Sequence, residues 1–428
     1  MTEAKGKIVE RYSIYDCQDA RQVQEAVGTI LQEHAHLLPA DQDALILLKP
    51  NLNSDMGALT GNTTDLRVIV GVISCLQDRG YANIVIGDGP NTGLINRGIN
   101  AISRLKIDRV AERFNVRAMD FNSAEALEVE VGGQMVKVPR VCSEAALFLN
   151  IPKIKTHAEA GFSSCLKNMV GCAVGLDKQK IHDNLPHNIL LLNRRIMPHL
   201  HIVDGLVAME GTGPSAGAPV VLNLLYGGQD PLLLDLMGCK IGGLDYRSVA
   251  YLRLALKENG ISPQYRDVLD ATPTYRELAP PDAPMLQKII ANPRLRPQLM
   301  RVRYLPGFRQ FFSSVFFSNM MYLTKAGQER YSLDDGSLEG LQVDVEKCAL
   351  CQERTCAQYC PLGIEPAQAD ASCLLCAYCY FVCPVDAVRM RGNLGYLAYH
   401  EKSYRGHILA ATHPAPADGP PSSVKKAS

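Results

Sequence analysis

The sequence predicts an α/β protein in two parts, a large layered domain on a largely parallel sheet followed by a small α+β domain dense in cysteine. Two observations predict it. Between residues 7 and 150, short apolar runs alternate with longer amphipathic ones, as in strands and the helices that cover them. Eight of the chain's 14 cysteines fall between Cys348 and Cys383, in two runs of four that each close on Cys-Pro. A length of 428 residues accommodates both parts, at roughly 100 to 200 residues per domain. The expected boundaries are 1–258 for the large domain, 259–340 for a connector, 341–400 for the cysteine-rich domain and 401–428 for a tail disordered at its end.

In chain order, Lys7 to Ile14, Ala44 to Leu48, Asn83 to Ile86 and Ala146 to Ile151 read as strands. Ala20 to Glu33, Asp65 to Arg79 and Asn100 to Phe114 read as helices, and Leu127 to Val138 as a hairpin around Gly132-Gly133. Thr64 or Asp65 is placed to cap the second helix. In such sheets ligands bind where strands end. Two strand ends are conspicuous, one carrying Lys49-Pro50-Asn51 and the other Gly87-Asp88-Gly89. The dinucleotide-binding spacing G-x-G-x-x-G is absent, so there is no flavin or nicotinamide fingerprint. Further on, Val220 to Tyr226 reads as a strand, Leu232 to Cys239 and Arg247 to Glu258 as helices, and residues 259–285 as a proline-rich seam.

The cysteine runs are Cys348-x2-Cys351-x4-Cys356-x3-Cys360-Pro361 and Cys373-x2-Cys376-x2-Cys379-x3-Cys383-Pro384. This is the spacing of a ferredoxin with two [4Fe-4S] clusters, in which the last cysteine of each run crosses to the other cluster. One cluster is therefore assigned to Cys348, Cys351, Cys356 and Cys383, and the other to Cys373, Cys376, Cys379 and Cys360. Zinc also takes Cys-x2-Cys pairs, but seldom eight thiolates in two Cys-Pro runs, and disulfides require an oxidising compartment. The first run carries four residues, Gln352 to Thr355, where two are usual. Asp386 to Met390 reads as the closing strand of this unit. The six remaining cysteines are scattered and read as buried small hydrophobes.

The region from Lys153 to His187 holds five lysines and three histidines among glycine and apolar residues. Lys153, Lys155 and His157 alternate, so a strand would place them on one side. With Lys49, Asn51, Thr64, Asp88, Lys167, Asn168, Lys178, Asp204, Glu210 and Gly211 they are candidates for binding a small anionic substrate. His157, His182 and Lys155 are the candidates for proton transfer. A divalent metal is a weaker alternative, since no tight His/Glu spacing is present.

Lys49-Pro50-Asn51, Thr63-Thr64-Asp65, Pro152-Lys153-x-Lys155-Thr156-His157, Leu166-Lys167-Asn168, Lys178 with His182, and Asp204-Gly205 through Met209-Glu210-Gly211-x-Gly213-Pro214 together resemble the DUF362 family. That family is a domain of unknown function often joined to a ferredoxin module. The resemblance covers about residues 8 to 250. It implies one large α/β domain with these motifs around a shared site, and supplies no reaction.

Residues 288–325 carry Lys288, Arg294, Arg296, Arg301, Arg303, Arg309 and Lys325 without an acidic residue, and five of the chain's ten phenylalanines lie between Phe308 and Phe317. Their helical spacing makes an apolar stripe. The favoured reading is that it docks the cysteine-rich domain on the large one. The alternatives are a peripheral membrane-surface helix over 301–325 and a docking face for an acidic electron donor.

Net charge is zero, 47% of residues are hydrophobic and 21% charged, so no global field points to nucleic acid. The N-terminus has no apolar run of a secretory signal, and nowhere do about twenty apolar residues run together. A cytoplasmic location is expected. The function expected is that of an iron-sulfur oxidoreductase exchanging electrons with a soluble low-potential partner. The alternative is an electron-transfer or assembly protein without turnover, its large domain serving as a docking module. A third reading, a non-redox enzyme with an open cluster iron, conflicts with full thiolate ligation of both clusters.

Overall fold

The computed structural model describes residues 12–281, Gly307 and residues 331–414. Its strands are β1 (Ile14–Asp16), β2 (Ile46–Pro50), β3 (Ile84–Asp88), β4 (Arg117–Asp120), β5 (Ala126–Val131), β6 (Gln134–Pro139), β7 (Leu147–Ile151), β8 (Lys153–His157), β9 (Gly161–Ser163), β10 (Leu200–Thr212), β11 (Ala216–Gly228), β12 (Ser337–Val343) and β13 (Val388–Asn393). One sheet runs β1-β11-β10-β7-β2-β3-β4, with β8 and β9 branching from β10. Pairing is parallel from β10 through β7, β2 and β3 to β4, and between β10 and β8. It is antiparallel where β11 joins β10 and β1, and between β8 and β9. The expected α/β class with a largely parallel sheet is what forms.

The central strands β2, β3 and β7 are buried at every position, as apolar runs covered on both faces must be. On one face lie α1 (Ala20–Glu33), which buries Val23, Ala26, Val27, Ile30 and Leu31, and α2 (Leu66–Gln77). Asp19 and Asp65 cap them, each carboxylate accepting a backbone N–H of the first turn. On the other face Phe148, Leu192, Leu234 and Tyr251 form a second core.

Three expectations shift. The helix expected over Asn100 to Phe114 is two, Ala101–Arg104 and Ile107–Arg113, because Lys106 adopts the left-handed conformation at φ 61° between them. Leu200–Thr212, which the sequence marks only by its polar residues, is a 13-residue strand. Residues 401–412, expected to belong to the tail, are part of the helix Tyr396–Thr412, which buries Tyr396, Leu397, His400 and Ile408. Residues 282–306 and 308–330, with most of the basic, Phe-rich stretch and its suggested membrane contact, lie outside the described residues, as do 1–11 and 415–428.

β12 and β13 pair antiparallel and frame the cysteine loops. Tyr378, Phe381 and Ile408 of this unit belong to the same core as Leu59, Leu66 and Ile69 of the large domain. Polar contacts fix the seam. The backbone N–H of Leu66 donates to Tyr378 Oη at 3.2 Å, and the Arg67 guanidinium lies 4.5 Å from the centre of the Tyr359 ring. Arg104 reaches Asp55 at 2.6 Å, Asp335 at 2.7 Å and the Ser332 carbonyl at 2.9 Å. Among the described residues no helix is long and apolar enough to cross a membrane.

Arg104→Ala strands the buried Asp55 carboxylate. It is expected to cost about 3 kcal/mol, measured as a drop in the urea midpoint.

Candidate functional site

β2 is followed in the chain by β3 on one side and neighbours β7 on the other, so the loops leaving β2 and β7 diverge at their carboxyl ends. A doubly wound sheet opens its ligand crevice at such a point. The residues placed there are polar and almost wholly buried. Lys49, at the end of β2, pairs with Asp88, at the end of β3, at 2.7 Å. Asp88 also accepts the Leu52 N–H at 2.6 Å. Lys153 pairs with Asp204 at 2.8 Å, and Asp204 accepts the Asp65 N–H at 2.7 Å.

Between these pairs runs a chain of amides. Asn168 donates to Asn150 at 2.7 Å, and Asn51 donates to Asn168 at 2.9 Å. Lys155 donates to Asn51 Oδ1 at 3.2 Å and to the Asn62 carbonyl at 2.7 Å. The Thr64 hydroxyl accepts the Asn51 N–H and donates to the Ile151 carbonyl, each at 2.7 Å. Gly171 is required by the packing, since a Cβ there would sit 2.2 Å from Asp88 Oδ1 and 2.9 Å from Lys49 Nζ.

His157, Lys167, Lys178 and His182 surround this cluster. His157 Nδ1 accepts the N–H groups of Glu159 and Ala160 at 3.1 and 3.2 Å, which leaves the ring proton on Nε2. Burial, then the charge of Lys167, push its pKa well below the usual histidine range. Lys167 makes no hydrogen bond or ion pair among the described residues, and burial pulls its pKa down to about 8. Lys178 is drawn to about 8 by the same cause and donates to Asn122 Oδ1 and the Ala173 carbonyl. His182 is partly exposed and pairs with Glu159 at 2.9 Å.

Most of the candidates from the sequence therefore come together, with corrections. Lys49 and Lys153 do not present free charge to a substrate, because buried ammonium groups need counter-charges and Asp88 and Asp204 supply them. His157 is a neutral hydrogen-bond donor at neutral pH, not an imidazolium acid, because desolvation and neighbouring cations disfavour its charged form. Glu210 and Gly211 follow Met209, the register partner of Lys155, and the Gly211 carbonyl accepts the Thr156 hydroxyl at 2.7 Å. Glu210 accepts the Ala279 N–H at 3.0 Å, and the Gly211 N–H donates to the Ala279 carbonyl at 2.9 Å, so both hold the segment after the second core.

Sequence reasoning missed Asn62, Asn150 and Asp235, whose roles depend on partners distant in sequence. Asp235 accepts the N–H groups of Cys165 and Leu166 and so orients the short helix Cys165–Asn168 that carries Lys167. It is buried, and its pKa is raised to about 7.

The eight clustered thiols fall into two neighbourhoods. Cys356 feels Cys383 most strongly among its charged neighbours, then Cys348 and Cys351. Cys376 feels Cys379, Cys360 and Cys373. Cys360, Cys373, Cys376 and Cys379 line one cavity together with Leu374, Ala377 and Tyr378. Among the described residues no three His, Cys, Asp or Glu side chains close around a single metal ion. Four thiols around one cavity are compatible with a bound metal or metal cluster. The other six cysteines are buried, as expected of small hydrophobes.

Residues 46–240 match the family model of DUF362, a domain of unknown function. The match spans β2 through most of the helix Pro231–Ile241 and so encloses the whole polar cluster. A curated relative, the Thylakoid-associated protein sll1697 of Synechocystis sp. (strain ATCC 27184 / PCC 6803 / Kazusa), is 27% identical over 290 residues, 63% of this chain and 81% of that protein. Among solved structures, the lactate racemase apoprotein from Thermoanaerobacterium thermosaccharolyticum aligns with a TM-score of 0.32 at 11% identity, over 50% of this chain and 53% of that one. The chain thus spans about half the length of that racemase.

Lys178 binds its proton less tightly folded, near pH 8, than unfolded, near 10.5. The unfolded chain holds the extra proton between these values, so wild type should gain stability relative to Lys178→Met as pH rises through that window. Paired urea titrations from pH 7.5 to 10.5 check the sign.

Proposed function

We propose that this chain is an iron-sulfur oxidoreductase acting on a small anionic molecule. Cys348, Cys351, Cys356 and Cys383 hold one [4Fe-4S] cluster, and Cys360, Cys373, Cys376 and Cys379 the other. The clusters supply one-electron transfer when bound. The observation that carries the reading is the grouping of the thiols into these two sets, one of them set against the α/β domain. Cys376 shares a cavity wall with Thr64, and Thr64 is hydrogen-bonded to the Asn51 that holds Lys155.

The outer set lies beside Val345 and Leu350, which are 69% and 80% exposed. Exposed apolar side chains next to cluster cysteines suit transient docking of a soluble low-potential partner. At the polar cluster, Lys167 is the cation left for an anionic ligand. Its pKa near 8 makes it, in place of His157, the group best matched to give up a proton near neutral pH. His157 donates from Nε2 and Lys155 holds the amide chain in register. The buried ion pairs neutralise Lys49 and Lys153.

A second reading, a docking module without turnover, draws support from the same ion pairs, since Lys49 and Lys153 are already neutralised. The location proposed is cytoplasmic. The name of the cyanobacterial relative, with the basic segment over 301–325, supports peripheral membrane contact.

Anaerobically reconstituted protein should hold two clusters' worth of iron, and Cys351→Ser and Cys376→Ser should each lose about half of it, with a distinct change in the electron paramagnetic resonance of the reduced protein. Reoxidation of the reduced clusters by a pool of small anions that carry a reducible group, such as 2-oxo and α,β-unsaturated carboxylates, should slow at least tenfold in Lys167→Ala, and in wild type should weaken as pH rises through about 8. Unchanged reoxidation in Lys167→Ala with both clusters present defeats the catalytic reading in favour of docking.

A further inference from the structure

We propose that Lys106 and Arg109 of the large domain draw electrons inward through the cysteine-rich unit. They do so by raising the reduction potential at the inner set, Cys360, Cys373, Cys376 and Cys379, relative to the outer set, Cys348, Cys351, Cys356 and Cys383. Both sets are taken to hold clusters, so this rests on the proposed function. What carries it is an imbalance in how the cations beside the two sets are paired.

Beside the outer set, Lys347, Arg354 and Arg405 carry their own carboxylates. Lys347, next to Cys348, lies 3.6 Å from Asp344. Arg354, whose field reaches Cys348 and Cys356, pairs with Glu365 at 2.5 Å. Arg405 donates to the Cys383 carbonyl at 3.5 Å and pairs with Asp386 and, at 3.3 Å, with Glu401.

Beside the inner set the cations are unmatched. Lys106 takes the left-handed conformation at φ 61° ahead of the helix Ile107–Arg113, and its side chain lines the seam together with Cys376. It is half-buried, with Nζ 5.9 Å from the centre of the Tyr396 ring, and makes no ion pair among the described residues. Burial pulls its pKa below the ordinary lysine range, and the negative charges that oppose this are Asp108, Cys376 and Asp335. Asp335 is already held by Arg104 at 2.7 Å. In the first turn of the helix, Arg109 likewise has no ion pair among the described residues, and at Cys373 its field outweighs that of Asp370.

Reduction adds a negative charge to a cluster, so an uncompensated cation nearby favours the reduced form, while one matched by a carboxylate has little effect. Burial opposes added charge at the inner set, and Lys106 and Arg109 offset it. An electron taken from the soluble partner is then lost by the outer set and gained by the inner one, with no bond made or broken.

Full-length protein, reconstituted anaerobically, is titrated through its potentials and followed by electron paramagnetic resonance, with Cys351→Ser and Cys376→Ser assigning the signals. In wild type the inner cluster should reduce first. With Lys106→Met and Arg109→Met combined, the ratio of reduced to oxidised inner cluster at its wild-type midpoint should fall about tenfold, about 59 mV for one electron, with the outer midpoint unmoved. Each single variant should give part of the fall, and Lys106→Arg should keep the wild-type value. Should the double variant hold less iron, the single variants carry the same comparison. An outer cluster that reduces first in wild type, an inner midpoint unmoved by the variants at full iron content, or two midpoints that fall together each overturn the proposal and leave the proposed function standing. Wild-type protein that takes up no iron defeats the proposed function and this inference with it.

Discussion

The carboxylate of Asp204 is the contact on which the rest of the arrangement depends. It is fully buried in β10, pairs with Lys153 of β8, accepts the N–H of Asp65 and turns its other oxygen to the Leu206 N–H at 2.9 Å. One side chain thereby ties β10 to its parallel branch and to the start of α2. The next residue of α2, Leu66, gives its N–H to Tyr378 of the cysteine-rich unit, and Arg67 places its guanidinium on Tyr359. Breaking a buried pair by removing one partner leaves an uncompensated charge, at a cost of about 3 to 5 kcal/mol. The seam between the two units is thus anchored through the same few residues that shape the polar cluster.

Much of this was legible in the sequence, because much of it is local. Apolar runs bounded by turns located β2, β3 and β7, and the caps at Asp19 and Asp65 obey short-range rules. What was not legible depends on contacts across long separations. Lys49 reads as a free cation until Asp88 folds against it, and Lys153 likewise until Asp204 does. The neutral state of His157 follows from burial and from Lys167, neither visible in a motif. The glycines and acidic residues of β10 mask its strand pattern, and the strand carries an irregularity between Gly205 and Val207.

The two thiol sets are not equivalent, and the asymmetry has a physical basis. Cluster potentials respond to exposure and to hydrogen bonds on sulfur. Cys383 is buried and accepts the Ala387 N–H at 3.2 Å, while Cys373 accepts that of Leu375 at 3.5 Å. The outer set is bordered by the exposed Val345 and Leu350, and the inner set is walled by the side chains that dock the unit.

The four residues from Gln352 to Thr355, which from spacing alone merely enlarge a loop, explain how that docking is built. Arg354 takes the left-handed conformation at φ 46° and pairs with Glu365 at 2.5 Å, and the chain then turns into the helix Thr355–Tyr359. That helix delivers Tyr359 beneath Arg67, whose guanidinium is already held by Asp65 at 2.9 Å. The longer spacer keeps every cysteine in its set and carries an aromatic ring onto the start of α2. The departure from the regular pattern thus leads into the helix whose last residue meets the start of α2.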